Sequence, residues 1–161
     1  MTNIRVGMGY DVHQLDNGLP FLLGGFQINY EKGIVAHSDG DILLHTIADA
    51  LLGAAGLGDI GHFFPDNNPK YKNLDSRLIV AEVLSRLDKL SYKIINTDIT
   101  IVLQKPKIAS VIPEIKKSLA DCLHIEQDRI NIKATTTEWM GFVGQEKGIA
   151  CYAVVLIEKY N

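Results

Sequence analysis

Asp11 and His13 stand two residues apart in Gly9-Tyr10-Asp11-Val12-His13, where a β-branched, alternating run ends. On a strand, positions i and i+2 share a face, so a carboxylate oxygen and an imidazole nitrogen are presented side by side. Further on, His37-Ser38-Asp39-Gly40-Asp41 opens a helical stretch that carries His45 one turn in. Three of the five histidines (His13, His37, His45) fall in these two short segments. Two imidazoles with one carboxylate make the mixed ligand set of an open zinc site, which takes three protein ligands and keeps one position free. The alternative is that these histidines are core or surface residues, a reading that their clustering disfavours.

The neighbourhood of His45 adds detail. Asp41 and Asp49 lie four residues before and after it, on its helical face, and a ligating histidine commonly gives its second N–H to such a carboxylate. His37-Ser38 sits where a helix N-terminus offers unpaired N–H groups to an anion, about one turn from a metal on His45. Ser38 as a simple cap is compatible with that. A separate constellation, Thr135-Thr136-Thr137-Glu138, ends a later strand with three hydroxyls and a carboxylate. A lone carboxylate suits Mg²⁺ or Mn²⁺, which draw their other ligands from phosphates and water. No activated serine or cysteine and no Walker-type loop is evident. This inventory fits a reaction in which the substrate brings its own nucleophile and the protein supplies cations and alignment.

The elements that must position these groups follow from periodicity. Residues 4–13 and 93–103 alternate as strands, residues 20–30 read as a strand or hairpin, and strands at 130–137 and 149–158 close the chain. Residues 39–56 are helical, with Leu43, Leu44, Ile47, Ala48, Leu51, Leu52 and Ala55 at three- and four-residue spacing, Ser38 or Asp39 as cap and Asp41 in the first turn. Gly56 ends that helix and begins about seventeen residues of weak periodicity, a length typical of a functional loop. Helices at 75–90, capped by Asp75, and 108–123, with Pro113 in its first turns, complete the pattern. The fold class is α+β, one domain over residues 1–161, with elements in mostly sequential order and a mixed sheet covered by helices on one face. Residues 149–157 are apolar on both faces, which predicts a homo-oligomer burying the other side of the sheet.

Composition bounds the rest. The chain has 161 residues, 47% hydrophobic and 22% charged, as expected of a globular domain with its own core. A net charge of −3 with scattered lysines argues against a nucleic-acid groove, so charge on an anionic substrate must be met locally. Neither a signal peptide nor a membrane span is evident, so the expected location is the cytoplasm, or an organelle after loss of a transit peptide. Cys122 and Cys151 sit in apolar segments without metal-ligand spacing and read as buried thiols.

Five ordered motifs, GYDVHQL at 9–15, HSDGDILLH at 37–45, DALLGAAGLGDIGHFFPD at 49–66, KPK at 105–107 and IKATTTEWMGFVG at 132–144, resemble the 2-C-methyl-D-erythritol 2,4-cyclodiphosphate synthase family over nearly the whole chain. The resemblance implies a CMP-forming lyase of non-mevalonate isoprenoid biosynthesis. Its substrate is 4-diphosphocytidyl-2-C-methyl-D-erythritol 2-phosphate, cyclised by intramolecular phosphoryl transfer. It further implies Zn²⁺ on Asp11, His13 and His45, Mg²⁺ or Mn²⁺ on Glu138, and transition-state stabilisation by His37 and Thr136. Substrate contacts would come from Asp11, Val12, His13, His37, Ser38, Asp59, Ile60, Gly61, Phe64, Pro65, Asp66, Asn67 and Asn68. Leu103, Gln104, Lys105, Pro106, Lys107, Ile108 and Ala109 would hold the cytosine largely through backbone groups, with Thr135, Thr136, Thr137, Glu138 and Phe142 beside them. The family's assembly is a homotrimer with its sheets facing inward, active sites between subunits, and a central channel that can take an isoprenoid diphosphate. Gln145 stands where relatives often carry a channel-facing arginine, with Lys147 two residues on, a departure that weakens the expectation of a channel ligand. Two other readings are a zinc phosphohydrolase, which lacks an evident general base, and a non-catalytic diphosphate-binding module, which would not need Asp11, His13, His45 and Glu138 together.

Overall fold

The computed structural model describes residues 3–65 and 73–160. Strand β1 (Ile4–Asn17) is followed by a small hairpin, β2 (Leu22–Leu23) and β3 (Phe26–Gln27), and by β4 (Lys32–Val35). Helix α1 (Ile42–Ala55), the single turn α2 (Ile60–Phe63) and α3 (Ser76–Lys89) come next, and then β5 (Tyr92–Val102). A 3₁₀ turn at Ala109–Val111 leads into α4 (Ile112–Leu123), followed by β6 (Ile130–Thr135), the turn α5 (Gly141–Gly144) and β7 (Gly148–Lys159).

In space the main sheet runs β4-β1-β7-β5-β6, so the first long strand pairs with the last rather than with its sequence neighbour. Among the described strands, only β5 and β6 run parallel, joined through α4. Their parallel register carries the chain out of Val102 and Thr135 at one end of the sheet, and the N–H of Leu103 donates to the Thr135 carbonyl at 2.9 Å. The segments 103–109 and 136–139 are thereby neighbours.

Three helices cover one face of the sheet, and the alternation of β1 shows how. Its odd positions, Gly7, Gly9, Asp11, His13 and Leu15, face the helices, while Ile4, Val6, Met8, Tyr10 and Val12 face away and are exposed. Gly7 and Gly9 allow α1 to lie directly on the strand. A Cβ on Gly9 would fall 2.0 Å from the carbonyl oxygen of Thr46, and one on Gly7 2.0 Å from that of Ala50. This close approach brings His45, on α1, against Asp11 and His13. Leu43, Leu44, Ile47, Leu51 and Leu52 fill the core with Ile99, Ile101, Ile149, Cys151, Val155 and Ile157 from the sheet.

Local chemistry shifts several expected boundaries. Helix α1 starts at Ile42, capped by Asp41, and not by Ser38 or Asp39. Gly56 closes it at φ 76°, in the left-handed region that glycine enters without a Cβ clash. The expected loop after Gly56 contains the turn α2, capped by Asp59, which accepts from the N–H of His62 at 3.0 Å. Asp75 caps α3 as expected. β4 is an edge strand that periodicity did not mark, four residues being too few to establish alternation. Among the described residues, no helix is long and apolar enough to cross a membrane.

Candidate active site

Asp11 and His13 project from β1 toward α1, where His45 occupies the first turn. His13 Nε2 lies 3.0 Å from Asp11 Oδ2, His45 Nδ1 lies 3.4 Å from the same oxygen, and the two ring nitrogens are 3.3 Å apart. A tetrahedral site with metal–ligand bonds of about 2.0–2.1 Å has edges of about 3.3 Å, so the three atoms fit one divalent ion. Among the described residues, this is the group whose donor atoms converge closely enough to hold a metal. Burial works against the charge on Asp11. Even so, the His13 and His45 rings beside it outweigh that penalty and hold the carboxyl far below the usual carboxylate range.

The cluster opens into a cleft of about 500 Å³. Asp11, His13, His37, Ser38, His45, Ile60, Gly61 and Phe64 line it, together with apolar Val35, Ala36, Leu74 and Ile79. Most of the residues expected around the metal are therefore in one place. Val12 is not, because strand alternation turns it to the bare face of the sheet. Asp59 caps α2, and neither it nor Pro65 is among the cleft-lining residues. Asp66, Asn67 and Asn68 lie outside the described residues.

Neither Asp41 nor Asp49 orients His45. Asp41 is completely buried; its Oδ1 accepts from the N–H groups of Gly24 (2.9 Å) and Leu44 (3.1 Å), and its Oδ2 from that of Gly25 (2.5 Å). Burial pushes its pKa up while these three donors pull it back. At the N-terminus of α1 the Leu44 N–H is thus taken by the chain's own Asp41, and His37 and Ser38 lie ahead of the helix rather than in its first turn. Asp49 accepts instead from the N–H of Ile60 at 2.8 Å, fixing α2 beside α1. The neighbours of His45 Nε2 are the hydroxyls of Ser76 (2.8 Å) and Ser38 (3.2 Å). Sequence reasoning missed Ser76, since a lone serine after a capping aspartate carries no distinguishing pattern.

A second cleft, of about 560 Å³, is lined by Tyr30, Gln104, Lys105, Pro106, Lys107, Thr136, Glu138 and Trp139. The Thr136 hydroxyl donates to Glu138 Oε1 at 3.1 Å and accepts the N–H of Glu138 at 3.2 Å. Glu138 and Trp139 both sit in the left-handed region, at φ 51° and 65°, a strained pair that aims the exposed carboxylate outward. Gln104 Oε1 accepts the N–H of Trp139 at 3.3 Å, tying the two segments together, while Lys105 pairs with Glu146 at 3.1 Å. Leu103 and Ile108 are buried in the core and can offer only backbone to a ligand; Ala109 is exposed in the 3₁₀ turn. Thr135 donates to the Thr136 carbonyl and Thr137 to the Met140 carbonyl. Phe142 lies elsewhere, in a third depression with Val12, His13 and Lys147. Gln145 is exposed just past α5.

An α+β domain whose Asp-His-His cluster opens into a cleft has the make-up of a small-molecule enzyme with a candidate metal site. Residues 4–158 match the YgbB family. The chain is 51% identical over 155 residues to the 2-C-methyl-D-erythritol 2,4-cyclodiphosphate synthase of Geobacillus thermodenitrificans, covering 96% of this chain and 97% of that one. Among solved structures, it superposes on the IspF–CDP complex of Plasmodium falciparum with a TM-score of 0.87 and 36% identity, covering 100% of this chain and 99% of that one. It also superposes on the bifunctional IspDF of Campylobacter jejuni with a TM-score of 0.95 and 40% identity; all of this chain is covered, and it spans 44% of that longer one. The chain belongs to the YgbB family of cyclodiphosphate synthases. Its activity is the formation of 2-C-methyl-D-erythritol 2,4-cyclodiphosphate in the isoprenoid pathway, as a CMP-releasing lyase.

Proposed function

We propose that this activity is carried out at sites shared between subunits of a homotrimer. In each site Asp11, His13 and His45 of one chain hold Zn²⁺ and Glu138 of the next holds Mg²⁺ or Mn²⁺. The observation that carries the reading is that the two clefts share no lining residue among those described, although one reaction needs both. The bare face of the sheet supports assembly: Val6 and Met8 are 66% and 62% exposed, and Tyr10, Val12, Tyr152 and Val154 extend the apolar surface. Packing these faces inward in a cyclic trimer would bury them, repeat one composite site three times, and enclose a channel near Gln145 and Lys147.

The substrate is 4-diphosphocytidyl-2-C-methyl-D-erythritol 2-phosphate. An oxygen of its 2-phosphate attacks the β-phosphorus, the bond to the CMP oxygen breaks, and the cyclic diphosphate forms. The cations, when bound, neutralise charge on the attacking and departing phosphates. Alignment falls to the protein. His37 and Ser38 face the first cleft with Ile60, Gly61 and Phe64, suited to the methylerythritol and its 2-phosphate. Backbone groups of 103–109 take the cytosine, in keeping with the CDP bound in the Plasmodium relative, and Lys107 stands near phosphate. Thr136, like His37, stabilises developing charge on the transferred phosphoryl group.

Subunit mixing tests this assembly. His45→Ala and Glu138→Ala chains should each be inactive, and in random mixed trimers a site would work only when its zinc half comes from a Glu138→Ala chain and its glutamate half from a His45→Ala chain. About a quarter of sites should then recover, as product seen by phosphorus NMR. Mixtures that stay inactive despite confirmed exchange would refute the shared site.

A further inference from the structure

His45 Nε2 points away from Asp11 and His13, toward the hydroxyl of Ser76 at 2.8 Å. Ser76 is fully buried at the first position of α3, and its hydroxyl is also 2.5 Å from Asp39 Oδ1. Asp39 collects further donors: the N–H of Ser76 reaches its Oδ2 at 3.0 Å and that of Asp41 its Oδ1 at 3.2 Å. A carboxylate only accepts, so the single hydroxyl proton of Ser76 belongs to Asp39. The serine oxygen must then accept toward His45, and the proton between them belongs to Nε2. The reverse assignment would leave two oxygens 2.5 Å apart with no proton between them.

We propose that Asp39 and Ser76 are positioning residues that hold His45 as the Nε2–H tautomer. The lone pair of Nδ1 is thereby turned toward Asp11 and His13 before any metal arrives. Ser38 is the weaker neighbour, at 3.2 Å, and lines the open cleft, so it can turn to a ligand while Ser76 keeps the ring in place. A ring free to exchange tautomers would present a protonated Nδ1 for part of the time, a form that cannot ligate. The consequence for metal binding rests on the zinc reading above; the tautomer itself does not.

The test uses metal-free protein labelled with ¹⁵N at histidine, at pH 8, where ordinary imidazoles are neutral. Long-range ¹H–¹⁵N spectra should show His45 as Nε2–H in the wild type and as a tautomer mixture in Ser76→Ala, with His62 and His124 unshifted as evidence of an intact fold. Chelator competition should show zinc bound about 10–100-fold more weakly by Ser76→Ala, and also more weakly by Asp39→Asn. An Nδ1–H tautomer in the wild type would overturn the proposal. So would a Ser76→Ala protein with weakened zinc but an unchanged tautomer, which would reduce Ser76 to packing. A wild type that shows the expected tautomer and its loss in Ser76→Ala, yet binds no zinc, would support the relay and refute the metal assignment instead.

Discussion

Replacing Gly9 by alanine should damage stability and metal binding together, because the same contact serves both. The added Cβ would lie 2.0 Å from the Thr46 carbonyl oxygen, 3.0 Å from its carbon and 3.1 Å from Ala50 N. Side-chain carbons essentially never come within 3.0 Å of another heavy atom, so α1 must retreat by about 1 Å. The obstacle is helix backbone, which cannot rotate aside, placing the cost at the upper end of overpacking, about 3 kcal/mol. For a domain of this size that corresponds to a fall in Tm of roughly 6–12 °C. Thr46 follows His45 directly, so the retreat carries the His45 ring away from Asp11 and His13. Metal sites tolerate errors of about 0.2 Å, and zinc affinity should fall more than about 10-fold. Thermal unfolding of the metal-free protein by circular dichroism gives the first quantity and chelator competition the second. A Gly9→Ala protein with wild-type Tm and wild-type zinc affinity would show that α1 does not rest on β1 as described.

Further predictions address other features. Asp41→Asn should cost about 1–3 kcal/mol in denaturant unfolding, because an amide N–H₂ must then face a backbone N–H that Asp41 now accepts; near-neutrality would mean that the cap is not ionised. The Cys151 thiol, pushed up to about 12 by burial, should resist alkylation at pH 8 except through global unfolding. Its linkage has a definite sign: the unfolded thiol ionises near 9, the native one near 12, so the native state holds the extra proton between those values and stability falls as pH rises across that window. Titrating denaturant stability from pH 8 to 11 checks the direction, with Cys151→Ala as the reference that should lose this slope. Gln145→Arg should bind an isoprenoid diphosphate more tightly than the wild type by calorimetry, since a bidentate guanidinium replaces a neutral amide; equal affinities would refute a role for this position.

The Asp11–His13 pair of the candidate metal cluster was legible because its geometry is local, while His45 joined it through ligand chemistry rather than spacing. Two residues of separation on a strand put Asp11 and His13 on one face, and the three- and four-residue spacing of leucines marked the inner side of α1. Contacts between distant segments were illegible. Nothing around Ser76 announces that its hydroxyl reaches His45, because a single hydroxyl leaves no periodic trace. Asp41 was misjudged as a first-turn acid because the loop whose N–H groups it binds, Gly24–Gly25, lies far away in the chain. The glycines of β1 look like ordinary strand breakers until a helix is laid across them. The homotrimer and the channel were drawn from family resemblance, and a single chain supports them only through the apolar face it leaves open.

The pairing of the first long strand with the last has a kinetic consequence. Asp11 is opposite Cys151 and His13 opposite Ile149, partners some 140 and 136 positions later in the chain. During synthesis, the hairpin and α1 can form early, but β1 has only the short edge strand β4 beside it until β7 emerges. Closing so long a loop is entropically expensive and slow. Asp11 and His13 therefore gain their rigid spacing last, and capture of the zinc proposed for them would be coupled to the completion of the sheet rather than to the formation of the segment that carries them.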